Sequence, residues 1–104
     1  MRFYERPCRM AAIRTCEIRD DGGTRLSVCY RLIKTVDPSR HVPPEHAVAY
    51  SLFVSVSDGV RQAEQRFVYD FTRDASVADR VFNAVYRGRV TPAALCDVVQ
   101  DLIG

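Results

Sequence analysis

The sequence predicts an α+β fold: a two-layer sandwich whose four-stranded antiparallel sheet, built from two hairpins, precedes two C-terminal helices packed on one face. Three observations lead there. Apolar residues alternate with period two over residues 11–34 and 47–71. Each stretch is divided by a turn signal, Asp21-Gly22-Gly23 in the first and Asp58-Gly59 in the second. After Phe71 the apolar period lengthens to that of a helix, and it does so twice.

Residues 1–10 mix arginines, aromatics and Pro7 without periodicity, which suits a loose arm or a short leading strand. In the first hairpin, Leu26, Val28, Tyr30 and Leu32 share one face of the second strand. A two-residue loop would set Glu17 and Thr15 against that apolar face. A three-residue loop instead pairs Ile18 with Leu26, Cys16 with Val28, Arg14 with Tyr30 and Ala12 with Leu32. A one-residue slip exchanges faces, so the three-residue loop is favoured. Gly22 or Gly23 can supply the left-handed residue that such a turn needs.

Residues 35–46 carry Pro38, Pro43 and Pro44, which cannot continue a strand. The connection is long enough to bring the third strand beside the second or to place it elsewhere. In the second hairpin, Asp58-Gly59 signals a two-residue type I′ turn. That register pairs Val54 with Ala63, Leu52 with Gln65, Tyr50 with Phe67 and Val48 with Tyr69. Phe67, Tyr69 and Phe71 then line the core, while Ser51, Ser55, Ser57, Gln62, Glu64 and Arg66 line the wet face, with Phe53 its one aromatic. Asp74 or Ser76 caps a helix with the stripe Val77, Val81, Ala84 and Val85, and Gly88 ends it in a left-handed cap. Thr91-Pro92 starts a second helix that buries Leu95, Val98, Val99 and Leu102.

With 104 residues, 47% of them hydrophobic and 27% charged, the chain has the size and balance of one soluble domain, residues 1–104. No apolar run approaches the roughly 20 residues of a membrane-spanning helix, and Met1–Pro7 lacks a signal-peptide core. The expectation is a cytoplasmic protein. A net charge of +2 is too small to announce nucleic acid or membrane. Fourteen of the fifteen basic residues are arginine, as a GC-rich genome would also give. The four cysteines form no C-x-x-C pair and read as reduced, packed thiols.

No hydrolase, phosphate-loop, dinucleotide or zinc-protease motif is present. His41 and His46, near Asp37 and Glu45, match no usual metal spacing and read as loop histidines. Cys29 lies near Arg25 and Arg31, which could activate a thiolate, but no base is positioned for it. Asp70 and Asp74 could form a carboxylate pair, yet each has a folding role in strand end and helix cap. The expectation is therefore no enzyme, no catalytic or metal-binding residues and no cofactor.

The wet sheet face remains, with Arg19, Arg25, Arg31 and Arg66 around Phe53. Arg25, Arg31, Phe53 and Arg66 are the candidate partner-binding residues, since arginine and aromatics anchor protein contacts. The reading is a non-catalytic module of regulator or inhibitor type, binding a protein partner or a second copy through the exposed sheet face or an edge. The alternative is weak nucleic-acid binding by the same arginine-rich face, against which stand Glu17, Glu64 and the near-neutral charge.

Taken together, the run Phe67-Val68-Tyr69-Asp70-Phe71-Thr72-Arg73-Asp74, the segment Gly88-Arg89-Val90-Thr91-Pro92 and the closing Asp97-Val98-Val99-Gln100-Asp101-Leu102 resemble a family of short uncharacterised proteins of clostridia-like Firmicutes, a domain of unknown function. The strand Tyr50–Val56 fits it too, and the likeness spans residues 47–103. It implies a bacterial cytosolic origin and supplies no activity or catalytic residues.

Overall fold

The structure is a computed structural model that describes residues 8–36 and 47–104. Four strands, β1 (Cys8–Arg19), β2 (Arg25–Val36), β3 (Val48–Ser57) and β4 (Gln62–Thr72), pair antiparallel in the order β1-β2-β3-β4. Helices α1 (Ala75–Arg87) and α2 (Pro92–Ile103) follow. The long connection therefore delivers β3 to the side of β2, and the α+β sandwich is as expected. Of the leading segment, residues 8–10 begin β1; the rest of it, and the histidine pair, lie outside the described residues.

The β1–β2 register is the one that apolar alternation requires: Ile18 opposite Leu26, Cys16 opposite Val28, Arg14 opposite Tyr30, Ala12 opposite Leu32. The turn closes with the Gly23 amide donating to the Asp20 carbonyl at 2.9 Å and the Asp20 amide donating to Thr24 at 3.0 Å. Gly23 takes the left-handed conformation, φ 81°, where a Cβ would be strained.

The β3–β4 register differs from expectation. Val54 meets Arg66 rather than Ala63, a displacement of three residues. One cause is Asp58. Its Oδ1 accepts the Val60 and Arg61 amides at 2.9 and 3.0 Å, so the turn spends four residues, with Gly59 left-handed at φ 92°. The longer turn supplies two residues of the displacement and keeps the faces; the one-residue shift between Val56 and Ser57 makes it odd and exchanges them. Glu64, Arg66 and Val68 now share the helix side with Val56, Val54 and Leu52, while Phe67 stands opposite Phe53 on the other face.

Further along β4 the register shifts again between Leu52 and Tyr50. Asp70 sits there in a left-handed conformation, φ 48°. Its amide donates to Ser51 Oγ at 2.9 Å, and Ser51 Oγ reaches Asp70 Oδ1 at 3.4 Å. The bulge leaves Phe71 packed against the core, as the sequence predicted, but Phe67 and Tyr69 on the open side.

The core lies between the sheet and the helices. Val28, Tyr30 and Leu32 from β2 and Leu52, Val54 and Val56 from β3 meet Ala78, Val81, Phe82 and Val85 from α1 and Leu95 and Val99 from α2. Asp74 caps α1: its Oδ1 accepts the Ser76 hydroxyl at 2.7 Å and the Ser76 and Val77 amides at 2.8 and 3.3 Å. The other end of α1 corrects a second expectation. Gly88 stays right-handed at φ −78°, and Arg89 takes the left-handed position at φ 50°. The Val90 amide then returns to the Val85 carbonyl at 3.1 Å, and the Val90 side chain packs on the core.

Two buried polar groups decide local stability in opposite ways. Replacing Ser51 by Ala strands the Asp70 amide, and urea unfolding should show a loss of about 1–2 kcal/mol. An unchanged midpoint would show that the bulge is held by something else. Tyr30 is fully buried, and its hydroxyl finds no geometric hydrogen-bond partner among the described residues, with the Cys16 thiol beside it. Burial holds the phenol well above its ordinary pKa. Replacing Tyr30 by Phe should therefore be neutral or stabilising by up to about 1 kcal/mol; a clear loss in the same experiment would refute the unsatisfied hydroxyl.

The turn and the cap also set a pH response. The Arg61 and Val60 amides hold the Asp58 carboxyl below its usual value, and the Ser76 hydroxyl and amide, then the Val77 amide, do the same for Asp74. Both values are depressed in the folded state. Their stabilisation is present above the unfolded carboxylate pKa and is lost as pH falls through the folded values, below about pH 4. Thermal melts taken downward from neutral pH should fall less steeply in that window for the Asp58→Asn/Asp74→Asn variant than for the parent.

Candidate functional site

Both helices lie on one side of the sheet, and they pack on β2, β3 and β4. The other face is built by the odd-numbered residues of β2 and β3 and their cross-strand partners. One ladder crosses the whole sheet: Ile13 opposite Arg31, Arg31 opposite Phe53, Phe53 opposite Phe67. The Arg31 guanidinium carbon lies 5.6 Å from the centre of the Phe53 ring, a cation–π contact. Phe53 and Phe67 centroids are 4.5 Å apart with the rings tilted by 41°, and Phe67 stacks on Tyr69 at 4.7 Å and 6°. Tyr69 is 71% exposed.

Beside this row, Met10 pairs with Ile33, and Met10 and Ile13 are 49% and 46% exposed. Met10, Ile13, Ile33, Phe53, Phe67 and Tyr69 thus give one face of a single sheet an apolar and aromatic surface. A patch of this kind marks an interaction surface more often than an accident of composition.

Of the four expected residues, three share this face. Arg31 and Phe53 are in contact, and Arg25 lies further along β2, its Nε 3.5 Å from Glu17 Oε2. Arg66 does not belong with them. The register turns it to the helix side, where its Nη1 lies 3.8 Å from Cys96 Sγ of α2. Phe67 and Tyr69 take its place. Asp58, a carboxylate able to cap two amides, signals a turn longer than Asp-Gly alone, but the one-residue shift between Val56 and Ser57 that exchanges the faces has no such signal in the sequence.

The other residues with chemical potential are accounted for separately. Cys29 is half-buried on the open face, opposite Thr15 and Ser55. Asp70 is engaged with Ser51 at the bulge and Asp74 with the start of α1, so the two carboxylates serve different local structures. Among the described residues no three of His, Cys, Asp or Glu gather as a metal site would require, and no helix is long and apolar enough to cross a membrane.

The edges of the sheet differ from its face. Because the Asp20 amide bonds to Thr24, the even-numbered residues of β1 from Ala12 onward bond to β2 and the odd-numbered ones turn outward. Two of those outward carbonyls are occupied: Ile13 by Arg14 Nη1 at 2.9 Å and Glu17 by Arg89 Nη1 at 3.2 Å. Guanidinium groups on an edge strand hinder the addition of another strand there.

No curated protein and no solved structure matches the chain. A family match does exist, and it reaches back beyond the C-terminal likeness to take in nearly all of β1 and the first turn. Over residues 9–104 the chain belongs to a family of unknown function, DUF6514.

Proposed function

We propose that this chain is a non-catalytic, cytosolic bacterial module of regulator or inhibitor type that binds a protein surface, from a partner or a second copy, through its open sheet face. The observation that carries the reading is the continuous row Arg31–Phe53–Phe67–Tyr69 on a face that no helix covers. Aromatic rings and arginine are the side chains that dominate protein interfaces. The molecule measures 52 × 35 × 19 Å, so its broad face is wide enough for the ~800 Å² per partner of a standard interface. The guanidinium-capped carbonyls of β1 favour the face over that edge.

A second reading draws on the same rings. Phe67 and Tyr69, stacked with their planes nearly parallel, add two rings to the single aromatic visible in the sequence, and single-stranded nucleic acid stacks on such platforms. The low net charge of +2 favours the protein reading.

The test is sedimentation of the purified chain together with affinity capture from nuclease-treated lysate of its host. Either self-association or a stoichiometric protein partner is expected. Replacing Phe53 by Ala, or exposed Tyr69 by Ala, should weaken that association by about 2 kcal/mol, roughly thirtyfold, without unfolding the chain. A protein that stays monomeric and captures nothing would sink the proposal. Binding of single-stranded RNA that falls steeply with salt would transfer it to the second reading.

A further inference from the structure

We propose that the cleft at the turn end of the β1–β2 hairpin, walled by Arg19, Arg25 and Arg89, binds a compact, multiply charged oxyanion of the phosphate or diphosphate kind. The cleft is separate from the aromatic row and measures about 310 Å³, lined by Glu17, Ile18, Arg19, Arg25 and Arg89. Its lining carries three guanidiniums and one carboxylate, a net +2.

Two features of the chain run against its own folding preference at this place. Arg19 and Arg25 are direct cross-strand partners, and like charges set opposite one another destabilise a sheet. Glu17 offsets only part of this, with one carboxylate oxygen 3.5 Å from Arg25 Nε. Arg89 is the second feature. It holds a left-handed backbone at φ 50°, a conformation costly for any residue with a Cβ. Ending α1 does not require this, because Gly88, one position earlier, could take that conformation without strain.

The strain has a geometric result. It brings a third guanidinium from the helix layer to the hairpin, where Arg89 Nη1 meets the Glu17 carbonyl at 3.2 Å and leaves the Glu17 carboxylate to Arg25. Arg19 in turn is steadied by the Gly23 carbonyl, 3.2 Å from its Nη1. Each guanidinium has five N–H donors in a planar fork, and these contacts engage one nitrogen of each. The arrangement anchors three forks around one opening while leaving donors for a ligand, and paired arginine forks suit phosphate oxygens best. A bound dianion would relieve the Arg19–Arg25 repulsion and offset the strain at Arg89.

The experiment is an NMR titration of the full chain with inorganic pyrophosphate, following the arginine Nε–H signals and the amides of residues 17–25 and 88–90. Sodium chloride at matched ionic strength is the control. Saturating shifts confined to these residues are expected. The Arg25→Gln and Arg89→Gln variants should each bind about tenfold more weakly or worse, while Arg61→Gln, at the opposite turn, binds as the parent does. Should Arg89→Gln fail to fold, Arg89→Gly serves, since glycine accepts the left-handed backbone. Shifts that never saturate, that chloride reproduces, or that survive loss of Arg25 and Arg89 would overturn the proposal. The outcome is independent of whether the aromatic face binds a partner.

Discussion

The pairing of β4 with β3 is the constraint on which the rest of the molecule depends. Two small polar devices set it. At one end Asp58 gathers two amides and lengthens the turn; at the other, Ser51 accepts the amide of left-handed Asp70 and makes room for extra residues in β4. Between them the register shifts by one residue at Val56 and Ser57, and that shift turns Phe67 and Tyr69 away from the helices. Without the one-residue shift between Val56 and Ser57, those rings would have entered the core and Arg66 would have faced the open side. A single residue of register thus decides whether the uncovered face is polar or aromatic.

That decision matters because the helix layer covers only one side. A sheet of four long strands has two faces to satisfy, and the two amphipathic helices bury one of them. The other must be solvated or partnered. Its aromatic row, stiffened by ring stacking and by the Arg31 contact, presents ordered apolar area whose conformational entropy is already partly spent, which favours association. The β1 edge is treated in the opposite way, with two of its outward carbonyls occupied by Arg14 and Arg89. Arg89 links the two layers here: one strained residue ends α1, shields the edge of β1 and completes the arginine cluster at the hairpin.

How far the sequence speaks can be judged strand by strand. The first hairpin was legible from Ala12 to its turn, because its alternating apolar set tolerates one register only and Gly23 permits the turn that this register needs; the shift between Met10 and Ala12 was not. The helices were legible from their stripes, the Asp74 cap and Pro92, although Ala78 and Phe82 proved as buried as the residues of the expected stripe. The second hairpin was not. Its β4 sequence offers apolar residues on both faces, Phe67 and Tyr69 on one and Val68 on the other, so alternation alone cannot choose between registers.

By itself, then, the sequence determined the α+β class, the element order, the first register and the lack of any familiar catalytic motif, because each depends on local periodicity and turn chemistry. The tertiary structure alone decided that β3 lies beside β2, that Arg66 belongs to the helix side, that three rings share the open face, and that Arg89 reaches the β1–β2 hairpin. Each of these rests on contacts between residues distant in the chain. Side chains such as Asp58 and Ser51 choose among strand pairings that local patterning leaves equally open.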